Sequence, residues 1–338
     1  MIPQTAMPPY PWQESLWAGF CQSLEAGRLP HAILLNAVDG LGIEELGQAM
    51  ARFLLCHSPI DDLACGRCRG CELLHAGSHP DFFLLKPEEK ATQIKVDQVR
   101  DCVDFVAKTS HFDGPKLVLI EQAESMNVNA SNALLKSLEE PAGRCIFILV
   151  SDRVSAILPT IRSRCQCMTL SLPSTRASEA WLKEQGLENA QHWLRQAGGA
   201  PLKAKKWTDG DYAESQLKLW AELSSLARAE IGAIALAASW QSRETLELMQ
   251  MQLFMLESLL RFKMAKEPVA QELQALVDQL AILEEHYFFR LHDKLSQRLA
   301  QLQRGANLNG LLQCEDMVMD WQSLFQLARR MNARQRRL

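Results

Sequence analysis

The sequence predicts an α/β module followed by an all-α region, and three observations carry that prediction. Short apolar runs without polar alternation recur through the first half, the pattern of strands buried on both faces. Amphipathic stretches lie between them, so strand and helix alternate as in a parallel sheet covered on both sides. After about residue 172 the strand-like runs stop and helical periodicity takes over.

In chain order, a helix is expected over 12–25, a strand over 32–35 and a helix over 44–56. A strand at 82–85 precedes a helix at 96–108, and a strand at 117–120 precedes a helix at 129–139. In that last helix Ala130, Leu134 and Leu138 form one stripe, and Pro141 enforces the stop because it lacks an N–H and clashes with the preceding turn. Further strands are expected at 146–150 and 168–172. Residues 175–206 read as two or three short helices broken by Gly186 and by Gly198-Gly199-Ala200-Pro201, and Asp209-Gly210-Asp211 reads as a linker. Long helices follow, among them 217–228, 245–263 and 271–284. Met249, Met251 and Met255 suit either a helix core or an adaptable interface. There is no internal repeat.

The 338 residues exceed one ordinary small domain, and a composition 47% hydrophobic and 22% charged is globular. A net charge of -4 excludes whole-protein attraction to nucleic acid. The N-terminal dozen residues lack a basic segment followed by an apolar one, and no apolar run is long enough to span a bilayer, so a soluble, cytoplasmic protein is expected.

Cys56, Cys65, Cys68 and Cys71 have the spacing C-x8-C-x2-C-x2-C. Glycines in Cys65-Gly66-Arg67-Cys68-Arg69-Gly70-Cys71 permit tight turns, so three thiolates can converge on a tetrahedral Zn²⁺ that Cys56 closes from the preceding segment. Such a site leaves no open coordination position and is structural. Arg67 and Arg69 are candidates to offset its excess negative charge, and His57, His75 and His79 are nearby substitutes for a cysteine. Free buried thiols and paired disulfides are the alternatives. The other cysteines, Cys21, Cys102, Cys145, Cys165, Cys167 and Cys314, share no spacing and read as core thiols.

After the first strand, Ala37-Val38-Asp39-Gly40-Leu41-Gly42-Ile43-Glu44 stands where a P-loop would. A working loop reads G-x-x-x-x-G-K-[ST]. Ala37 takes the first glycine position, Gly42 keeps the second, and Ile43 and Glu44 replace the lysine and the hydroxyl, so a triphosphate meets an apolar group and a carboxylate. Taken alone, the stretch is equally an ordinary strand-to-helix turn. The third strand ends in Glu121-Gln122, where a Walker B segment would place a metal-binding Asp and a Glu base; Gln122 cannot act as a base. Together these positions describe a nucleotide-binding fold without hydrolytic chemistry.

The chain resembles the delta-prime family of bacterial DNA polymerase III clamp-loader subunits. The resemblance rests on the cysteine knuckle after a degenerate P-loop, His79-Pro80-Asp81, Asn132-Ala133-Leu134-Leu135-Lys136-Ser137-Leu138-Glu139-Glu140-Pro141, the strand at 146–150 and Ser163-Arg164-Cys165. It implies an AAA+ parallel-sheet module over 1–167 with its zinc knuckle at 56–71, a small helical lid domain over 168–210 and a helical collar over 211–338. It also implies ring partners of the gamma or tau and delta types, and through the complex the beta sliding clamp and primed DNA. In such subunits the arginine of Ser163-Arg164-Cys165 enters the neighbour's ATP site, where a guanidinium neutralises charge developing on the γ-phosphoryl oxygens. Pro201 stands where active loaders carry a sensor arginine, consistent with no bound ATP. The expected role is a non-hydrolysing replisome component of the holoenzyme, with an ATP-hydrolysing gamma/tau-type subunit as the alternative. Arg329, Arg330, Arg334, Arg336 and Arg337 make a basic C-terminus, either a solvated tail or a contact for DNA or an acidic neighbour. Lys95, Arg100, Lys108 and Lys116 are further basic positions to which no DNA contact is assigned.

Overall fold

Five parallel strands carry the first half of the chain: β1 (Ala32–Asn36), β2 (Phe82–Leu85), β3 (Lys116–Ile120), β4 (Cys145–Ser151) and β5 (Gln166–Thr169). Their spatial order is β2-β3-β4-β1-β5, with every pairing parallel. The computed structural model describes residues 9–88, 91, 93–112, 114–141, 143–209, 212–303 and 309–335, and the described side chains exclude Gln303. The chain divides into two units, 1–206 and 207–338.

In the first unit the sheet is covered on both faces, which is why its strands read as continuous apolar runs. Ile33, Leu35, Leu117, Leu119, Ile148 and Val150 pack with Trp17 and Phe20 of α1 (Glu14–Glu25) and Leu46 and Met50 of α2 (Ile43–Leu55). The alternate residues, among them Leu34, Val118, Ile120, Phe147 and Leu149, pack on the other side with Val99 and Cys102 of α4 (Val96–Ala107) and Leu134 and Leu138 of α5 (Val128–Glu139). Between α2 and β2 lies α3 (Arg69–His75) with the cysteine knuckle. Asn127 caps α5 by accepting the Ala130 N–H at 2.9 Å. A short α6 (Pro159–Arg162) leads into β5, and α7 (Thr175–Glu184), α8 (Ala190–Gln196) and α9 (Pro201–Asp209) follow. Gly198 and Gly199, both at positive φ, end α8 as the sequence expects.

The last strand departs from expectation, occupying Gln166–Thr169 rather than 168–172. Among the described residues β5 is an edge strand paired only with β1, and β1 ends at Asn36 opposite Thr169, so beyond one further bond from Leu170 N–H to Asn36 O there is no described ladder to join. Edge position also explains why Cys167 is exposed, against the core reading; Cys21, Cys102, Cys145 and Cys314 are buried as expected and Cys165 is half-buried.

The second unit is helical: α10 (Tyr212–Arg228), α11 (Ala233–Trp240), α12 (Thr245–Ala265), α13 (Gln274–Leu280), α14 (Glu285–Gln303) and α15 (Gly310–Gln335). Its core holds Trp240, Phe288, Trp321 and Phe325. Met249, Met251 and Met255 are buried, which settles them as core. Buried Gln252 accepts the Trp321 indole N–H at 2.9 Å and approaches Met317 Sδ at 3.2 Å with its amide nitrogen, a polar pin between α12 and α15. Arg329 donates to the carbonyls of Leu226 and Ala227 at 3.3 and 2.8 Å, so this member of the basic C-terminus is tied to α10; Arg336 and Arg337 lie outside the described residues, as do Gly210 and Asp211 of the expected linker. No described helix is long and apolar enough to cross a membrane.

Candidate functional site

In an open parallel sheet, ligands approach the carboxyl ends of the strands where the strand order reverses, here beyond β1 and its neighbours. The turn after β1 delivers Ala37 to Gly42 there and runs into α2. Its backbone is engaged by the chain itself. Gln13 Nε2 donates to the Leu41 and Gly42 carbonyls at 2.8 Å each, Trp12 Nε1 donates to Leu41 O at 2.9 Å, and Leu202 N–H donates to Gly40 O at 3.1 Å. Gly40 and Gly42 have φ of 87° and 74°, and neither has room for a side chain. A Cβ on Gly40 would lie 2.5 Å from Lys203 Cβ, and one on Gly42 would lie 2.6 Å from the Tyr10 ring and 2.9 Å from Leu202. Tyr10 stacks on Trp12 with centroids 5.0 Å apart, Trp181 of α7 meets both edge-on, and Lys203 pairs with Asp39 at 3.3 Å. Side chains from α9 therefore lie against both loop glycines, and the Tyr10 ring lies against Gly42.

The charge there is also wrong for a phosphate. Burial raises the Glu44 carboxyl, followed by the nearby charges of Glu121 and Glu45, while a hydrogen bond from the Gln122 side chain opposes the rise. Gln122 thus lies within hydrogen-bonding reach of Glu44. Gln122 holds a left-handed φ of 54°, a cost of about 1 kcal/mol or more for a residue with a Cβ. Buried Glu121 accepts from Gln48 Nε2 at 2.7 Å, while Ala37 and Ile43 are buried.

The four cysteines do converge. The sulfurs of Cys56, Cys65, Cys68 and Cys71 all lie within 4.8 Å of one another, with Cys56 to Cys68 at 3.8 Å and Cys68 to Cys71 at 3.5 Å. Tetrahedral Zn–S bonds of about 2.3 Å require sulfurs about 3.8 Å apart, so the cluster fits a four-thiolate ion. Backbone amides support the sulfurs: Cys65 N–H points to Cys56 Sγ at 3.2 Å and His57 N–H to Cys68 Sγ at 3.4 Å. Burial raises the Cys68 thiol, but the amides of Cys71 and His57 and the neighbouring thiols outweigh it and bring Cys68 down to about 6. Cys71 moves up, through burial and its sulfur neighbours. Among the described residues this is the one cluster of side chains that could hold a metal ion, and His57, His75 and His79 do not join it.

Sequence reasoning missed how the knuckle is mounted. Arg69 turns to Glu72 at 3.9 Å, and it is Arg52 of α2, largely buried, whose charge faces Cys71. Gly70 lies so close to α2 that a Cβ there would sit 2.3 Å from Leu55 O. The rings of His57 and His79 both meet Phe112, and buried Asp81 fixes that loop by accepting from His111 N–H at 2.8 Å and Phe112 N–H at 3.0 Å.

Ser163, Arg164 and Cys165 link α6 to β5, at the end of the sheet opposite the loop after β1. Since Ile33 pairs with Gln166 and Asn36 with Thr169, Arg164 stands roughly 15–20 Å along the strand direction from its own chain's loop. Its side chain is 31% exposed and makes an ion pair with Glu139, the last residue of α5. Cys165 packs against the α4–α5 core, where burial pushes its thiol up to about 11. Arg162 is exposed. Among the other basic positions, Lys95 pairs with Glu88 at 2.7 Å, Arg100 with Asp97 at 2.8 Å, and Lys116 is buried with its amine on Phe105 O.

The protein-family model described as "DNA polymerase III, delta subunit" matches residues 12–174, which contain the loop, the knuckle and Arg164. The "DNA polymerase III subunit delta'" of Pseudomonas aeruginosa is 37% identical over 326 residues, covering 93% of this chain and 98% of that protein. The Escherichia coli protein of the same name is 35% identical over 205 residues, 60% of this chain and 61% of that protein. That of Haemophilus influenzae is 37% identical over 210 residues, 61% of this chain and 64% of that protein. With near full-length correspondence to the first of these, on a parallel α/β sheet that carries the same knuckle and arginine motif the sequence singles out, this chain belongs to the DNA polymerase III delta-prime subunit family.

Proposed function

We propose that the chain is a non-hydrolysing, delta-prime-type subunit of a replicative clamp loader, acting in the cytoplasm at the replisome. It completes a ring with gamma or tau and delta subunits and gives Arg164 to a neighbour's ATP site, so that the beta clamp is loaded on primed DNA. The observation that carries this reading is the opposition of two ends of one sheet. At one end, the loop after β1 is covered by Tyr10, Leu202 and Lys203. At the other stands Arg164, too far from that loop to serve it.

An arginine reaching a site on another chain supplies a fixed fork of donors where negative charge accumulates, and trans fingers of this kind accelerate hydrolysis by roughly three to five powers of ten in other nucleotidases. The reading assigns Ser163 and Cys165 to holding the arginine, by the Ser163 hydroxyl bonded to Thr160 O at 3.1 Å and the packed Cys165 thiol. Zinc bound by Cys56, Cys65, Cys68 and Cys71 would be structural, holding α3 on the end of α2. The three-part division into module (1–167), lid (168–210) and collar (211–338) belongs to the same reading.

Reconstitution of the complex with Arg164→Ala tests it: DNA-stimulated ATP hydrolysis and clamp loading fall, and unchanged rates refute the finger. Titration of the isolated chain with ATP separates this reading from a hydrolysing gamma/tau-type subunit, which would bind nucleotide where this chain does not.

A further inference from the structure

Arg164 does not stand free. Its Nε donates to Glu139 Oε1 at 2.7 Å, its Nη2 donates to the same oxygen, and its Nη1 donates to Thr160 O at 2.9 Å with Ser163 Oγ 3.4 Å away. All three guanidinium nitrogens are thus committed to the arginine's own chain. The carboxylate offsets the positive charge that a γ-phosphoryl group would need to meet, and it would itself be repelled by that group. From the sequence alone Glu139 reads as one more residue at the end of α5. In the fold, Pro141 stops that helix where its last side chain reaches the segment between α6 and β5.

We infer that Glu139 is a positioning residue that holds Arg164 in a parked pose, and that the arginine must exchange Glu139 for a neighbour's nucleotide phosphate before it can act. The inference rests on the proposed role of Arg164 as a trans finger and adds how that finger is withheld. A parked pair of this kind suits a switch. Both side chains are partly solvated, Arg164 at 31% and Glu139 at 48% exposed, so the pair holds by a small margin that a competing phosphate can overcome. The backbone bond to Thr160 keeps the arginine near its working place once the carboxylate lets go.

The test is the reconstituted complex with ATP, with and without primed DNA and clamp, comparing wild type, Glu139→Gln, Arg164→Ala and the double variant. Glutamine keeps the shape and removes the charge. Glu139→Gln is expected to raise kcat for ATP hydrolysis in the absence of DNA by about two- to fivefold, the population shift expected from losing an exposed ion pair. KM for ATP should move less. On the Arg164→Ala background the same change is expected to do nothing. If Arg164→Ala lowers hydrolysis while Glu139→Gln leaves the DNA-free rate at or below wild type, the parked pose is refuted and the finger survives. An increase that persists in the double variant also refutes it, because the effect would not pass through Arg164. If Arg164→Ala itself changes nothing, the finger assignment has failed first.

Discussion

Gly70→Ala is the substitution whose effect the structure fixes most closely. Gly70 lies in α3 with helical backbone and a φ outside the left-handed region, so by propensity alone alanine would stabilise by about 1 kcal/mol. The packing reverses that sign. The new Cβ would sit 2.3 Å from Leu55 O, where real Cβ atoms keep at least 3.0 Å, so α3 and the end of α2 must part by at least about 0.7 Å. The atom met is backbone, which has no rotamer to escape into, and overpacking of this kind costs roughly 1–3 kcal/mol. Cys56 follows directly on α2, while Cys68 and Cys71 flank Gly70, so parting the helices pulls one sulfur from the other three. Zinc sites tolerate displacements of about 0.2 Å. With zinc bound as proposed, its affinity is therefore expected to fall by at least the ten- to hundredfold typical of disturbed supporting residues, read by competition with a chromogenic chelator and accompanied by a lower Tm. Gly19→Ala is the control: it lies on the exposed face of α1 with nothing within 4 Å of the added methyl, and should stabilise by about 0.5–1 kcal/mol with zinc binding unchanged. Wild-type zinc affinity and Tm in Gly70→Ala would refute the reasoning.

Restoring the consensus residues with Ala37→Gly, Ile43→Lys and Glu44→Thr is expected not to restore ATP binding in a titration, because Tyr10, Leu202 and Lys203 still lie against Gly40 and Gly42; ordinary P-loop affinity in the triple variant would overturn the steric argument. Gln252→Leu leaves the buried Trp321 N–H without its acceptor and should cost about 1–3 kcal/mol in urea unfolding, whereas an unchanged midpoint would mean that the pin contributes nothing. Asp81→Ala removes the acceptor for His111 and Phe112 N–H, and hydrogen exchange at those two amides should speed up more than at the strand amides of β3; equal protection would show that the carboxylate does not hold the loop.

What the sequence made legible is what is local or periodic. β1 to β4 stand out because both faces of the sheet are buried and each strand therefore reads as an unbroken apolar run. The four-cysteine cluster stands out because sixteen residues of chain hold all four thiols. β5 starts two residues and ends three residues before the expected 168–172, because Met168 to Leu172 is apolar enough for a strand while the ladder ends where β1 ends. The remainder depends on which distant side chains point at one another, information that neither period nor spacing carries. Tyr10, Trp181 and Leu202 meet at Gly42 or around it from three separate elements. Arg67 and Arg69 are interleaved with the thiolates, the placement that suggests them as balancing cations, yet the cation whose charge acts with Cys71 is Arg52 of α2. Glu139 and Arg164 are 25 residues apart in sequence and meet because α5 ends where β5 begins, at the same edge of the layer.

The cover over the loop after β1 has a thermodynamic consequence. Tyr10, Leu202 and Lys203 occupy ground that a diffusing ligand would otherwise contest, and because they are tethered they act as an internal ligand whose effective concentration does not change with the cell's energy charge. A protein that binds free ligand gains stability as RT ln(1 + [L]/Kd), so its folded population tracks supply. Under the proposed reading this chain has no such dependence: its melting temperature should be the same with and without added ATP, and its folding is insulated from the pool that its partners consume.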